Sequence, residues 1–343
     1  MSEAERPLAL EAVGVQKYFP VKSGFGRSPA QVKAVDGVSL ALRQGETFAL
    51  VGETGCGKST FGRTAIRLLE PTGGTLKVNG TDITRLSERE LRPLRRDMQM
   101  VFQDPAAALN PRVRAGDMLR EILRIHRLGA NAAERTALAV GTLQKVGLPP
   151  EHFCRYPHEF SGGQRQRIGL ARALILRPKL VVCDEPVSAL DASIQAQIIN
   201  LLMDLQERDG LAYLFISHDI RVVKHIADRI GVMYLGHLVE SAGTEALFRD
   251  PLHPYTEALF AAVPETDPNG AKRKRVALAG DVPSPLSPPE GCVFHTRCPR
   301  ALPVCAELAP PLEARQSRHE VACHAIPVHR TGISAEFPEG TRQ

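Results

Sequence analysis

Gly52-Glu53-Thr54-Gly55-Cys56-Gly57-Lys58-Ser59-Thr60 has the residue types and spacing of a loop that wraps phosphates. Its glycines let the backbone come close, so that amide N–H groups and a helix N-terminus face negative charge. Lys58 then reaches the β- and γ-phosphates, and the Ser59 hydroxyl ligates Mg2+. A second segment, Leu180-Val181-Val182-Cys183-Asp184-Glu185, reads as a buried strand that ends in two carboxylates. Alternation along a strand would send the two acids to opposite sides. Asp184 is the candidate for holding Mg2+ through its water shell, and Glu185 for positioning or deprotonating an attacking water. Together the segments specify cleavage of a nucleoside triphosphate.

The elements that must hold these residues are legible in the pattern. The apolar run 48–51 precedes the loop, and a helical pattern with Phe61, Ala65, Ile66 and Leu69 inward follows it. Residues 8 to 51 alternate apolar and polar, as strands do, and Asn79-Gly80 marks a hairpin. Another strand, 98–102, ends at Gln103-Asp104-Pro105. From about 106 to 160 the pattern is helical, with Met118, Ile122 and Ile125 at helical spacing. Strand and helix then alternate: helix 164–176, strand 180–183, a helix around Ile194, Ile198, Leu202 and Leu205, and strands 211–216 and 229–235. The expected fold class is α/β with a doubly wound parallel core. Beyond residue 264 the chain turns to Pro, Cys and charge, which predicts a separate small appendage. The run Lys272-Arg273-Lys274-Arg275 reads as a solvated linker.

At 343 residues the chain is long enough for one large domain and a smaller one. No run approaches the roughly eighteen apolar residues that span a bilayer, and the opening residues are polar, so a cytoplasmic location is expected. A net charge of +5 is too mild to select a nucleic acid or membrane partner. Seven cysteines in such a chain argue against disulfides. Four of them, Cys292, Cys298, Cys305 and Cys323, are separated by 5, 6 and 17 residues in a segment with little apolar content, which suggests metal-organised folding. That spacing departs from the paired C-x2-C of common zinc sites. Cys56 and Cys154 read as packing residues, with a lowered Cys56 thiol pKa conceivable beside Lys58.

Phe160-Ser161-Gly162-Gly163-Gln164-Arg165-Gln166-Arg167, upstream of the Asp184-Glu185 strand, resembles the signature of ATP-binding cassette (ABC) proteins, and the likeness covers nearly the whole chain. The residues agree: Ser161 is a good N-cap, and two glycines expose amides at a helix start, a second anion site. The resemblance implies a P-loop NTPase cassette over 8–263, with a RecA-like parallel-sheet core, an antiparallel β subdomain and a helical subdomain at about 106–163. A Cys-rich C-terminal region would follow over 264–343. It further implies that two cassettes pack head to tail, each ATP lying between one Lys58 loop and the other's Ser161 loop, so that a lone cassette hydrolyses poorly. Tyr18 resembles the aromatic that stacks on adenine, and Gln103 the glutamine that senses Mg2+ and the membrane partner. Asp191 resembles the residue coupling the two sites, and His218 the histidine at the γ-phosphate. Each also has a plainer reading, as strand aromatic, polar residue, helix N-cap or structural histidine.

Within the family, Val101-Phe102-Gln103-Asp104-Pro105, Tyr156-Pro157-His158-Glu159-Phe160, His253-Pro254-Tyr255-Thr256 and the cysteine tail resemble the ATPase subunits of bacterial dipeptide and oligopeptide importers, nearest to the second ATPase of the dipeptide system. Thr54, Asp104 and Cys183 are departures that remove no catalytic group. This branch implies a peripheral subunit at the cytoplasmic face of the inner membrane. Its partners would be a second, different ATPase, two permeases and, through them, an external substrate-binding protein, with no nucleic acid. ATP and Mg2+ are the implied ligands, with a 4Fe–4S cluster at the four tail cysteines and zinc or unligated thiols as alternatives. Nickel or glutathione import stays open as the nearest rival, and a soluble ABC ATPase as a further one.

Overall fold

The structure, a computed structural model, describes residues 6–21, 30–104, 109–262, 280–316 and 318–326. Strands β1 (Leu8–Val21) and β2 (Ala30–Arg43) pair antiparallel before β3 (Thr47–Val51) enters a second sheet and runs into α1 (Lys58–Ala65). The chain then returns to β1 with β4 (Gly73–Val78) and β5 (Thr81–Asp82). Asn79 and Gly80 between them have φ of 48° and 79°, the left-handed pair that a two-residue hairpin needs. Helix α2 (Glu88–Leu94), capped reciprocally by Ser87 and Glu90, leads to β6 (Met98–Val101). Helices α3 (Ala115–Ile125) and α4 (Ala132–Lys145) form the helical insert. Alternation follows with α5 (Gly162–Leu174), β7 (Leu180–Asp184), α6 (Ala192–Asp209), β8 (Ala212–Ile216), α7 (Ile220–Ile226) and β9 (Arg229–Tyr234). Next come β10 (His237–Gly243), α8 (Thr244–Arg249) and α9 (Pro254–Ala261), and the tail contributes α10 (Val304–Glu307), β11 (Glu313–Gln316) and β12 (His319–Val321).

The main sheet has the order β11-β12-β10-β9-β3-β8-β7-β6, and its strands from β9 to β6 run parallel. Period-two alternation divides their side chains between two cores. Ala49, Val51, Val181, Cys183, Tyr213 and Phe215 face the layer that holds the helical insert, α5 and α6. Phe48, Leu50, Leu180, Val182, Leu214 and Ile216 face α1 and the antiparallel sheet. β3, β7 and β8 are buried along their whole length, as near-continuous apolar strands covered on both faces should be. Among the described residues no helix is long and apolar enough to cross a membrane.

The structure adds one burial stripe and corrects one expectation. On α3 the buried stripe is Ala115, Leu119 and Leu123, whereas Ile125 is 48% exposed and Met118 and Ile122 are only partly covered. Close approach selects that face: a Cβ on Gly116 would stand 2.3 Å from the Phe153 ring. The tail, for its part, is not separate. β12 pairs with β10, Glu240 opposite Val321, and Cys292, Phe294 and Cys305 join the larger core. Too poor in apolar residues for a core of its own, it shares that of the main body. Lys272 to Arg275 lie outside the described residues.

Candidate active site

Four neighbouring parallel strands deliver the motif residues to one edge of the sheet. β3 runs into the phosphate loop, β8 toward His218, β7 toward Glu185 and β6 toward Gln103, in that spatial order. Their carboxyl ends therefore share a crevice, the usual ligand position in open α/β sheets. It is a cavity of about 450 Å3 lined by residues 54–60 with Gln103, Glu185 and His218. A larger cavity, about 780 Å3, lies between the antiparallel sheet and the tail, but none of these motif residues lines it. Chemistry, not volume, selects the smaller one.

Backbone crowding fixes the loop. Gly52 (φ 151°) and Gly57 (φ 107°) take conformations closed to other residues, and a Cβ there would stand 2.1 Å from the Met233 carbonyl and 2.0 Å from the Ala34 carbonyl, respectively. Lys58, 5% exposed, donates from Nζ to the carbonyls of Gly52 (2.8 Å) and Glu53 (2.9 Å), which holds its charge against the loop. The Cys56 thiol is pushed up by burial, although Lys58 pulls against this, so the lowered pKa expected there is reversed.

Ser59 Oγ donates to Asp184 Oδ1 at 2.6 Å, and Arg63 Nη2 to Asp184 Oδ2 at 3.3 Å. A hydroxyl and a fully buried carboxylate from different elements thus converge on one point, a donor set that suits a hard divalent cation. Arg63 was not anticipated, yet it stands one helical turn beyond Ser59 and so shares its face. Gln103, expected beside the metal, instead donates from Nε2 to Glu185 Oε2 (2.9 Å). His218 Nδ1 lies 3.3 Å from the other Glu185 oxygen. Glu185 parts from Asp184 by a turn rather than by strand alternation: β7 ends at Asp184, Glu185 has φ 48°, and its amide donates to the Ile216 carbonyl (3.0 Å). A non-glycine residue held in that region beside a cleft is strain of the kind found at functional sites.

The remaining expected residues stand apart from the cavity. Tyr18 does not line it; its hydroxyl donates to Asp36 Oδ1 (2.5 Å), and burial followed by that bond raises its pKa. Ser161 caps α5, accepting from the Gln164 amide (3.3 Å) while Gln164 Oε1 accepts from the Ser161 amide (3.0 Å). Ser161 and Gly162 are exposed and Gly163 is buried. Asp191 occupies the N-cap of α6, but its side chain makes no capping bond.

Cys292, Cys298, Cys305 and Cys323 share one neighbourhood, and burial raises the thiols of Cys292 (to about 11), Cys298 and Cys323, with nearby cysteines adding to the effect. Even so, among the described residues no group of three or more His, Cys, Asp or Glu is arranged to hold a metal. Cys298 Sγ and Cys305 Sγ accept the amides of Arg300 and Leu302 (3.4 Å each). The arrangement gives the expected cluster or zinc no support. A tail that is packed on the main core has another source of order. Cys154, expected to be packed, is exposed.

Residues 35–188 match the family model described as ABC transporter, and residues 239–305 match that described as oligopeptide/dipeptide transporter, C-terminal region. The chain is 54% identical over 327 residues to the oligopeptide transport ATP-binding protein AppF of Bacillus subtilis, covering 94% of this chain and 99% of that protein. It is 50% identical over 323 residues to OppF of Salmonella typhimurium, another oligopeptide transport ATP-binding protein, covering 93% and 96%. Among solved structures it resembles the dimeric post-hydrolysis state of the ATP-binding cassette MJ0796 bound to ADP and Pi, with a TM-score of 0.61 and 29% identity over 68% of this chain and 98% of that one.

Proposed function

The chain belongs to the ABC transporter family as an ATP-hydrolysing subunit of a peptide importer, and on that premise we propose how its residues divide the work. The observation that carries this division is the meeting of the Ser59–Asp184 and Gln103–Glu185–His218 contacts beside one phosphate loop. Loop amides and Lys58 bind the β- and γ-phosphates. Bound at Ser59 and Asp184, Mg2+ would offset charge on the transferring phosphoryl group. Glu185 orients and deprotonates the attacking water, His218 fixes the carboxylate and approaches the γ-phosphate, and Gln103 reads the state of Glu185. Tyr18, which does not line the cavity, is proposed to stack on adenine through its ring face.

Such a subunit works with permeases and a substrate-binding protein, at the cytoplasmic face of the inner membrane. Ser161, Gly162, Gly163 and Gln164 do not line their own chain's cavity, so we assign them to the ATP of a second cassette, with Asp191 coupling the two sites. MJ0796, a dimer, supports that arrangement. A different ATPase chain is the proposed partner. An iron–sulfur cluster is no part of this reading.

The test is uptake of labelled dipeptides, tripeptides, longer peptides and nickel by cells carrying the wild-type chain or Lys58→Ala. Loss of peptide uptake alone is expected, and its length dependence narrows the substrate. Peptide uptake that survives while nickel uptake is lost would overturn the peptide assignment and keep the ATPase.

A further inference from the structure

Glu53, the second residue of the phosphate loop, is held from three directions. Its amide donates to the Tyr255 hydroxyl on α9 (2.9 Å). Its carbonyl accepts from Lys58 Nζ (2.9 Å). Its carboxylate accepts from Arg297, at 3.1 and 3.4 Å from Nη1 and 3.4 Å from Nη2. Arg297 lies in the tail, immediately before Cys298, and its side chain is only 8% exposed. The guanidinium also donates to the Tyr234 hydroxyl (3.4 Å) and lies 5.9 Å from that ring. Three residues earlier Phe294 is wedged among Tyr234, Tyr255 and His253, with ring centroids 5.3 to 5.5 Å away. The tail therefore reaches the loop through an arginine placed by its contact with Tyr234 and by the packing of Phe294 nearby.

We propose that Arg297 is a positioning residue for ATP binding: it pairs with Glu53, fixes the peptide whose carbonyl holds Lys58, and neutralises a carboxylate carried by the phosphate loop itself. A planar fork on a partly buried carboxylate gives both direction and charge, which a lysine supplies only in part. Without its partner the Glu53 carboxylate would be left uncompensated on a loop that must receive phosphates. The tail, by this route, sets the affinity of the nucleotide loop. The inference rests on the reading of that loop as the ATP site.

The test compares wild type, Arg297→Met, Arg297→Lys and Lys58→Ala for ATPase activity in the assembled importer, and for ATP binding and melting temperature in the full chain. Arg297→Met should raise KM for ATP about tenfold, the loss of a charge-assisted hydrogen bond, with kcat within about twofold. Arg297→Lys should recover part of the affinity. In a Glu53→Gln background the effect of Arg297→Lys on KM should vanish, a readout that survives if Arg297→Met fails to fold. An Arg297→Met chain with unchanged KM, a loss confined to kcat, or an equal Arg297→Lys effect in both backgrounds overturns the proposal. Should Lys58→Ala bind ATP as tightly as wild type, it is the ATP-site reading that fails instead.

Discussion

Glu185 departs from the strand it ends, and its left-handed backbone, its bond to Ile216 and its two side-chain contacts all aim one carboxylate at the cavity. Replacement by Gln keeps the shape and removes the base. Glu185→Gln should therefore slow hydrolysis by about a hundredfold or more while ATP binding persists, as read by steady-state ATPase assay and equilibrium binding. Unimpaired turnover would take Glu185 out of that role. A second residue controls acid stability. His253 is buried; its Nδ1 accepts the Tyr255 amide (3.1 Å) and its own amide donates to Glu240 Oε2 (3.0 Å), while Glu240 Oε1 is 2.7 Å from His319 Nε2. Burial drives the His253 pKa from 6.5 down to about 4, against the opposing pull of Glu240. Between those values the unfolded chain binds a proton that the folded chain refuses, so stability falls as pH drops from 6.5 to 4 and is unaffected by this group above 6.5. The loss from His253 is on the order of 3 kcal/mol. His253→Asn, which retains a capping side chain, should flatten that fall in chemical denaturation across the window.

At the level of elements, the N-terminus of α5 carries two requirements that one substitution can separate. Aspartate caps a helix as well as serine does, but adds a negative charge where another chain's phosphate is proposed to sit. Ser161→Asp should leave the melting temperature within a few degrees of wild type and abolish ATPase activity in the assembled importer. Activity retained in that variant would remove Ser161 from the second site. The same helix shows how far local patterns reach. Its cap, the phosphate loop, the Asn79-Gly80 hairpin and the strands β3, β7 and β8 are legible because their signals lie within a few residues of one another. The inward stripe of α3 is not, since two apolar stripes compete and only the closeness of Gly116 to Phe153 decides between them. Nor is the pairing of Glu240 with Val321, or of Arg297 with Glu53, because contacts between distant segments leave no periodicity in either. Within the site, the motifs foretold that Gln103, Glu185 and His218 gather at the phosphate loop, but not that Tyr18 stands apart from it, that Gln103 turns to Glu185, or that Arg63 shares Asp184 with Ser59.

For the whole molecule, a cavity that holds Lys58, Glu185 and His218 but not Ser161 is half of the proposed catalytic unit. The isolated chain should hydrolyse ATP slowly, with turnover per chain rising as the partner ATPase is added, and ATP should drive a Glu185→Gln chain and that partner into a stable complex by light scattering. Turnover independent of partner and of concentration would contradict the shared site. The sheet's outermost strand brings a different consequence. β11 is a four-residue strand with Glu313 and Arg315, preceded by Pro310 and Pro311, and it stands outside β12 and β10. Short, charged and proline-led, it is a poor template for another chain, whereas β10 has seven residues and is mostly buried. Truncation before residue 280 would turn β10 into an open edge, so the shortened chain should be recovered largely as insoluble aggregate.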